Sequence, residues 1–294
     1  MNQKKLIAIG IVAFLVVGVW GFKLVAANIA RGKVDAVIAK MLDFADVDYG
    51  GIDVDLLGLD THVKDIRAYL VPSGESLYVQ ELIIHDFDDE EDGKEEGFPS
   101  FVDVEFRGLQ MDLGELGNDA RPLYELGYKD KVFLNGRLSY RYDKEKKMLD
   151  LTGVEMGVSD MGTLKAAVRL GNIDLSSRGV LALPLTYPYV TVWGGEITYT
   201  DDSLAGRVLR KFAIDQGKDV ETARKEIIRE INAQEHKAKD DFVRAGWKAL
   251  AKFAASPKRL SIKIAPNRPV PIVRLFMVRD INQAMKLLNL GFSY

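Results

Sequence analysis

The 294-residue chain holds 40 basic and 43 acidic residues, a formal net charge of −3, and no cysteine. Disulfide stapling, thiolate metal sites and thiol catalysis are excluded together, so stability has to come from packing. The near-balance hides an asymmetry: residues 203–294 carry nineteen basic against nine acidic residues. These are interleaved with acids at helical spacing, which argues against nucleic acid and makes an anionic membrane surface or the protein's own acidic half the expected counterpart.

In chain order, the first feature is Leu6 to Phe22, LIAIGIVAFLVVGVWGF, uncharged and flanked by Lys4, Lys5 and Lys23. Seventeen residues give about 26 Å of helix, near the ~30 Å of a bilayer core, and no polar stripe interrupts the run. It is expected to be a membrane anchor occupying residues 1–30. Val25-Ala26-Ala27 has the small-residue pattern of a signal-peptide cleavage site, so a cleaved leader is the alternative, although the apolar core exceeds the usual ~7–15 residues. A short N-terminal tail and a long polar remainder favour a single pass through an inner membrane, with the bulk of the chain in the periplasm. Val34, Val37, Ile38, Met41 and Leu42 keep a helical period, giving a stalk over residues 31–47.

From Asp48 the period becomes two. Ile52, Val54 and Leu56 alternate with Asp53 and Asp55, Val63 to Leu70 answers them, and Leu77 to Phe87 is the next strand. The acidic run from Asp86 to Glu96 offers Asp88, Glu90 and Asp92 before Gly93, as a calcium loop would, but Pro99 stands where the bidentate glutamate belongs. It is expected to be a solvated hairpin tip. In Phe101 to Leu113 the alternation slips by one residue at Gly108, and Leu149 to Val158 slips at Gly153; both read as β-bulges. Glu115 to Tyr128 reads as a loop with a helical turn. Val132 to Tyr142 and Leu164 to Leu170 complete a series of antiparallel hairpins. Val180 to Leu185 and Val190 to Thr200 are expected as two more strands, with Trp193 in the core.

Then helical spacing returns. Thr200 to Ser203 offers N-cap oxygens to a helix that Gly217 closes, and Asp219 begins a longer one reaching Phe253 on a Phe242, Ala249 and Phe253 stripe. Its polar middle, Asn232 to Asp241, either projects into solvent or hides a break. Leu260 to Ile264 is a strand, prolines 266, 269 and 271 keep the next segment out of a central ladder, Ile281 to Leu288 is a short helix, and Leu290, Phe292 and Tyr294 alternate. The expected fold is therefore α+β: an anchor, a stalk, an antiparallel β domain over 48–200, and a helical segment with closing strands over 201–294 packed on the sheet.

Chemistry-bearing patterns are absent. His62, His85 and His236 stand singly, the first two beside charged sheet residues and the third on the polar helix middle; zinc spacing, phosphate loops and HExxH are missing. No catalytic, cofactor or metal residue is assigned, and the protein is read as non-enzymatic.

The order of features, a lysine-bearing N-terminus, one span, a stalk, then YGGIDVDLLG and glycine-punctuated hairpins, resembles the YdgA-like and AsmA-like proteins of the Gram-negative envelope. The segments YRYDKEKKMLDLTGVEMGVSDMGTL, TDDSLAGRVLRKFAIDQGKD, LSIKIAPNRPVPIVRLF and LLNLGF extend the resemblance over most of the chain. It implies an inner-membrane protein with a twisted, groove-like sheet, concerned with lipid handling or envelope homeostasis. Two functions follow as expectations: a lipid-binding or lipid-transport accessory, or a structural protein that recruits another envelope component.

Overall fold

A computed structural model describes residues 45–55, 60–70, 75–87, 99–278 and 280–294. The expected anchor, the stalk up to residue 44, two hairpin turns and most of the acidic run lie outside them. Among the described residues no helix is long and apolar enough to cross a membrane.

Among the described residues, twelve strands form one twisted antiparallel sheet. In chain order they are β1 (Ala45–Asp48), β2 (Gly51–Val54), β3 (Thr61–Leu70), β4 (Glu75–Phe87), β5 (Phe101–Asp112), β6 (Lys131–Asp143), β7 (Met148–Val158), β8 (Gly162–Gly171), β9 (Thr191–Asp201), β10 (Arg259–Ile264), β11 (Val270–Pro271) and β12 (Leu290–Ser293). From β3 to β9 each strand pairs antiparallel with its neighbour in sequence, with helical connections between β5 and β6 and between β8 and β9. Strand β10 then joins β9 after a helical excursion, and β12 closes the flank on β10. On the other flank β1 and β2 both pair with β3. The last three residues of the expected stalk are thus strand, and the sheet draws on both expected domains.

Both anticipated bulges are present. The β5–β6 register shifts between Phe106 and Leu109, with Gly108 at φ +64°, and the β7–β8 register shifts between Leu151 and Val154. Each lets the apolar residues on either side of the slip stay on one face.

The faces have opposite character. On one, Val63, Leu82, Ile84, Val102, Val104, Phe106, Tyr140 and Tyr142 form the principal core cluster, none more than 8% exposed. On the other, cross-strand partners run His62, Ile83, Glu105, Arg137, Glu155, Lys165, Thr198, Ser261 from β3 to β10. Opposite charges on adjacent strands reinforce the register.

The helices gather at the two ends of the strands and at the β10–β12 flank. A 3₁₀ segment (Leu113–Ala120) leads into α1 (Arg121–Glu125), where a loop with a helical turn was expected. Helix α2 (Ser177–Thr186) stands where a strand was expected over 180–185; Ser176 caps it by accepting from the Gly179 amide, and a 3₁₀ turn (Tyr187–Tyr189) follows. Helices α3 (Leu204–Asp215), α4 (Val220–Lys237) and α5 (Asp241–Ala255) come next. The long helix expected from Asp219 is broken at 238–240, where Asp240 turns its carboxylate to the Phe242 amide and starts α5. Helices α6 (Ile272–Met277) and α7 (Ile281–Leu287) complete the set; α6 was not anticipated. Leu209, Ala213 and Ala223 pack α3 on α4. The Arg207 guanidinium lies 4.3 Å from the Tyr128 ring centroid, fastening α3 to the loop before β6.

Candidate functional site

Among the described residues, an open groove with an almost wholly apolar lining runs beneath helix α5. Helix α5 supplies Val243, Gly246, Trp247 and Leu250, at the i, i+3, i+4, i+7 spacing that makes one stripe of a helix. The stripe lies over the sheet's apolar face, where Leu260 and Ile262 of β10 and Phe292 of β12 project by strand alternation. Asn282 and Met285, one turn apart on α7, form the third wall. The groove offers about 340 Å³, at the small end of ligand pockets, and is broadly open to solvent. No titratable side chain lines it, so acid, base and nucleophilic chemistry have no group to work with there.

The walls are held by a few polar contacts at the rim. Asp240 caps α5 at 3.0 Å from the Phe242 amide and pairs with Lys286 of α7, so one carboxylate fixes both helices; the Lys286 ammonium holds its carboxyl below the ordinary aspartate range. Asp280 caps α7 through the Asn282 amide at 3.0 Å. At the far end of α5, Lys252 donates to the Tyr294 hydroxyl with its ammonium 4.0 Å from that ring's centroid. Gly246 brings the backbone against Phe292: a methyl group there would sit 3.2 Å from the ring.

The cleft continues beyond the helices. Leu260 is the cross-strand partner of Tyr199, which faces Leu164; Ile262 faces Ile197, which faces Ala166, and the rows end on β7 at Met156 and Val154. These residues lie between the buried core of β4–β6 and the cover provided by α5. They are half-buried, and Leu164 is 48% exposed. An apolar strip thus runs across four strands into the cleft.

The histidines lie elsewhere. His62 Nδ1 is 3.0 Å from Glu81, and His85 sits between Asp60 at 3.1 Å and Glu105 at 3.3 Å, on the charged face. Burial pushes the Glu105 carboxyl up, but hydrogen bonds from Arg107 and His85 outweigh it and keep the group below its ordinary value. Arg137 forks onto Asp103 at 2.7 and 2.8 Å, and Lys165 meets Glu155 at 2.7 Å. Each of these carboxylates has a basic partner in the sheet, so the row works as a structural ladder. His236 donates from Nδ1 within its own helix, to the Asn232 carbonyl at 2.7 Å. Among the described residues no group of His, Asp or Glu has the arrangement of a metal site. Trp193, expected in the core, is 48% exposed and donates to Thr191 Oγ1.

Sequence reading found the α5 stripe through Phe242, Ala249 and Phe253 but not the adjacent one that lines the cleft. The signal was there in the spacing of Val243, Trp247 and Leu250, and Gly246 concealed it.

Fold and site together define an α+β protein with a single antiparallel sheet and a ligand-sized apolar cleft. A family model described only as an uncharacterized protein matches residues 155–294, a stretch that contains every residue lining the cleft. An uncharacterized protein of Aquifex aeolicus (strain VF5) is similar along its whole length, 27% identical over 304 residues and covering 98% of each chain.

Proposed function

We propose that this is a non-enzymatic, membrane-tethered envelope protein that binds lipid, with the cleft under α5 taking an acyl chain. The observation that carries the reading is the cleft itself: nine lining residues, none ionisable, continuous with a half-exposed apolar strip. An acyl chain gains about 0.8 kcal/mol for each methylene removed from water, so a chain filling the cleft gains several kcal/mol without any polar contact. The tether is the apolar run 6–22, which supports an inner-membrane, periplasm-facing placement, and the resemblance to YdgA-like and AsmA-like proteins agrees with lipid handling.

The test is photocrosslinking of a diazirine-bearing fatty acid to the full chain in membranes, with adduct sites mapped by mass spectrometry. Adducts are expected on peptides bearing Trp247, Met285 and Phe292, and are expected to disappear in Gly246→Leu and Met285→Trp, which fill the cleft from two different walls. Adducts confined to residues 1–44, or unchanged in both variants, overturn the proposal.

A further inference from the structure

A second apolar surface lies where β8 ends and β9 begins. Leu181 and Leu185, one turn apart on α2, are 83% and 80% exposed, and Phe276 and Met277 of α6 are 68% and 75% exposed. Tyr187 and Tyr189 stand between the two helices; the Tyr187 ring meets Phe276 edge-on at 6.3 Å. The Ile272 amide donates to the Val190 carbonyl, and Asn172 Nδ2 donates to the Tyr189 carbonyl, so backbone bonds fix this platform to the sheet. Soluble surfaces scatter such residues singly, and their gathering on one platform marks a docking face.

The charge around it identifies the occupant. Residues 175–193 and 265–278, which build the platform, contain Arg178, Arg268 and Arg274, while the acids that border them, Asp174 and Asp280, are taken up by Lys147 at 2.9 Å and by the Asn282 amide at 3.0 Å. All three arginines are exposed. Leucine, phenylalanine and methionine at the tip, tyrosines beside them and arginine at the rim is the composition of a face that enters the headgroup region of an anionic bilayer. We propose that this platform docks on an anionic lipid surface, a second membrane contact besides the apolar run 6–22. The connection allows it. The chain enters the sheet at Ala45 opposite Leu70, the strand end away from the platform. Residues 23–44 span about 33 Å as the helix expected from their sequence and up to about 75 Å when extended, against about 43 Å for the longest strand, so both contacts can meet one bilayer only with part of this segment extended. Docking does not require the cleft to hold lipid.

The absence of native cysteine makes the test direct. Single variants Leu185→Cys, Phe276→Cys and Ile214→Cys, the last an exposed control on α3, carry an environment-sensitive dye on the full chain in vesicles of phosphatidylcholine with or without phosphatidylglycerol. Dye at 185 and 276 is expected to shift to the blue and be quenched by spin-labelled lipid in the anionic vesicles, with dye at 214 unchanged. Arg178→Glu with Arg274→Glu is expected to weaken the response on the order of fivefold per arginine. The proposal is overturned if labels at 185 and 276 keep aqueous emission in anionic vesicles. It is equally overturned if they shift without lipid as protein concentration rises, the signature of a second copy, or if 214 shifts as much. Cleft adducts with fatty acid are read independently, so failure of one reading is distinguishable from failure of the other.

Discussion

At Gly136 the sheet has no room for a side chain: a methyl group would lie 2.2 Å from Phe106 Cε1, and 3.1 Å from the Glu155 carbonyl oxygen. Phe106 is 4% exposed in the principal cluster, so it cannot swing away. Gly136→Ala is therefore expected to cost about 1–3 kcal/mol in urea unfolding, the usual cost of overpacking, and Phe106→Leu in the same chain should return part of it. Independent, additive losses would show that the two positions do not share the space. Reading at this scale succeeds where a residue leaves a mark on the pattern around it. Gly108 shifts the phase of the alternation and was recognised; Gly136 sits in regular alternation, and nothing local reveals the ring across the strand. Trp193 failed for the same reason, since a tryptophan on a strand looks alike whether the layer above it exists or not.

Helix α2 shows how an element is decided by groups outside its apolar run. Residues 180–185, VLALPL, suit a buried strand or a helix equally by periodicity. The choice is made upstream, where Asp174 accepts from the Ser176 hydroxyl at 2.7 Å, from its amide at 3.0 Å and from Lys147 at 2.9 Å, while Ser176 accepts from Gly179. The Ser176 hydroxyl first, then the Lys147 ammonium, hold the Asp174 carboxyl down to about 2 from its ordinary 3.8. A carboxyl with a lower pKa folded than unfolded stabilises the fold above the unfolded value and loses that contribution as pH falls through the folded one. Wild type and Asp174→Asn should therefore differ most above pH 4 and converge toward pH 2, read as amide exchange in α2 or as acid unfolding. A difference that stays constant across that window would assign the effect to packing. The same logic explains the split between α4 and α5: the polar middle was legible as a weakness, and Asp240, with a partner on α7 over forty residues away, turns it into a start.

The whole molecule is a meander, and its broad organisation was legible because each hairpin announces itself with alternation, a turn and a return. What was not legible is the relation between distant parts: that β10 and β12 would extend the same sheet, and that α5 would roof only its last strands. Neighbour pairing along the sequence keeps most contacts local, whereas β9–β10 pairing has to wait for three helices. Stability should follow that plan. Native-state amide exchange is expected to be slowest in β5, β6 and β7, which have partners on both sides and carry much of the principal cluster, and fastest in β1, β2 and β12. Protection in β12 equal to that of β6 would mean that the flank and centre open together, contrary to this picture.

The two flanks have a further meaning. A ladder of ten rungs with full-length outer rungs would be a template for its own polymerisation, since unpaired amides and carbonyls recruit whatever strand arrives. Here one outer rung is the four-residue β12, and the other is divided into β1 and β2 with a step at Gly50, opposite the left-handed Asp65 at φ +55°. Neither presents a long straight row of donors and acceptors to a neighbouring molecule. So large a pleated surface can be held at high density without seeding fibres.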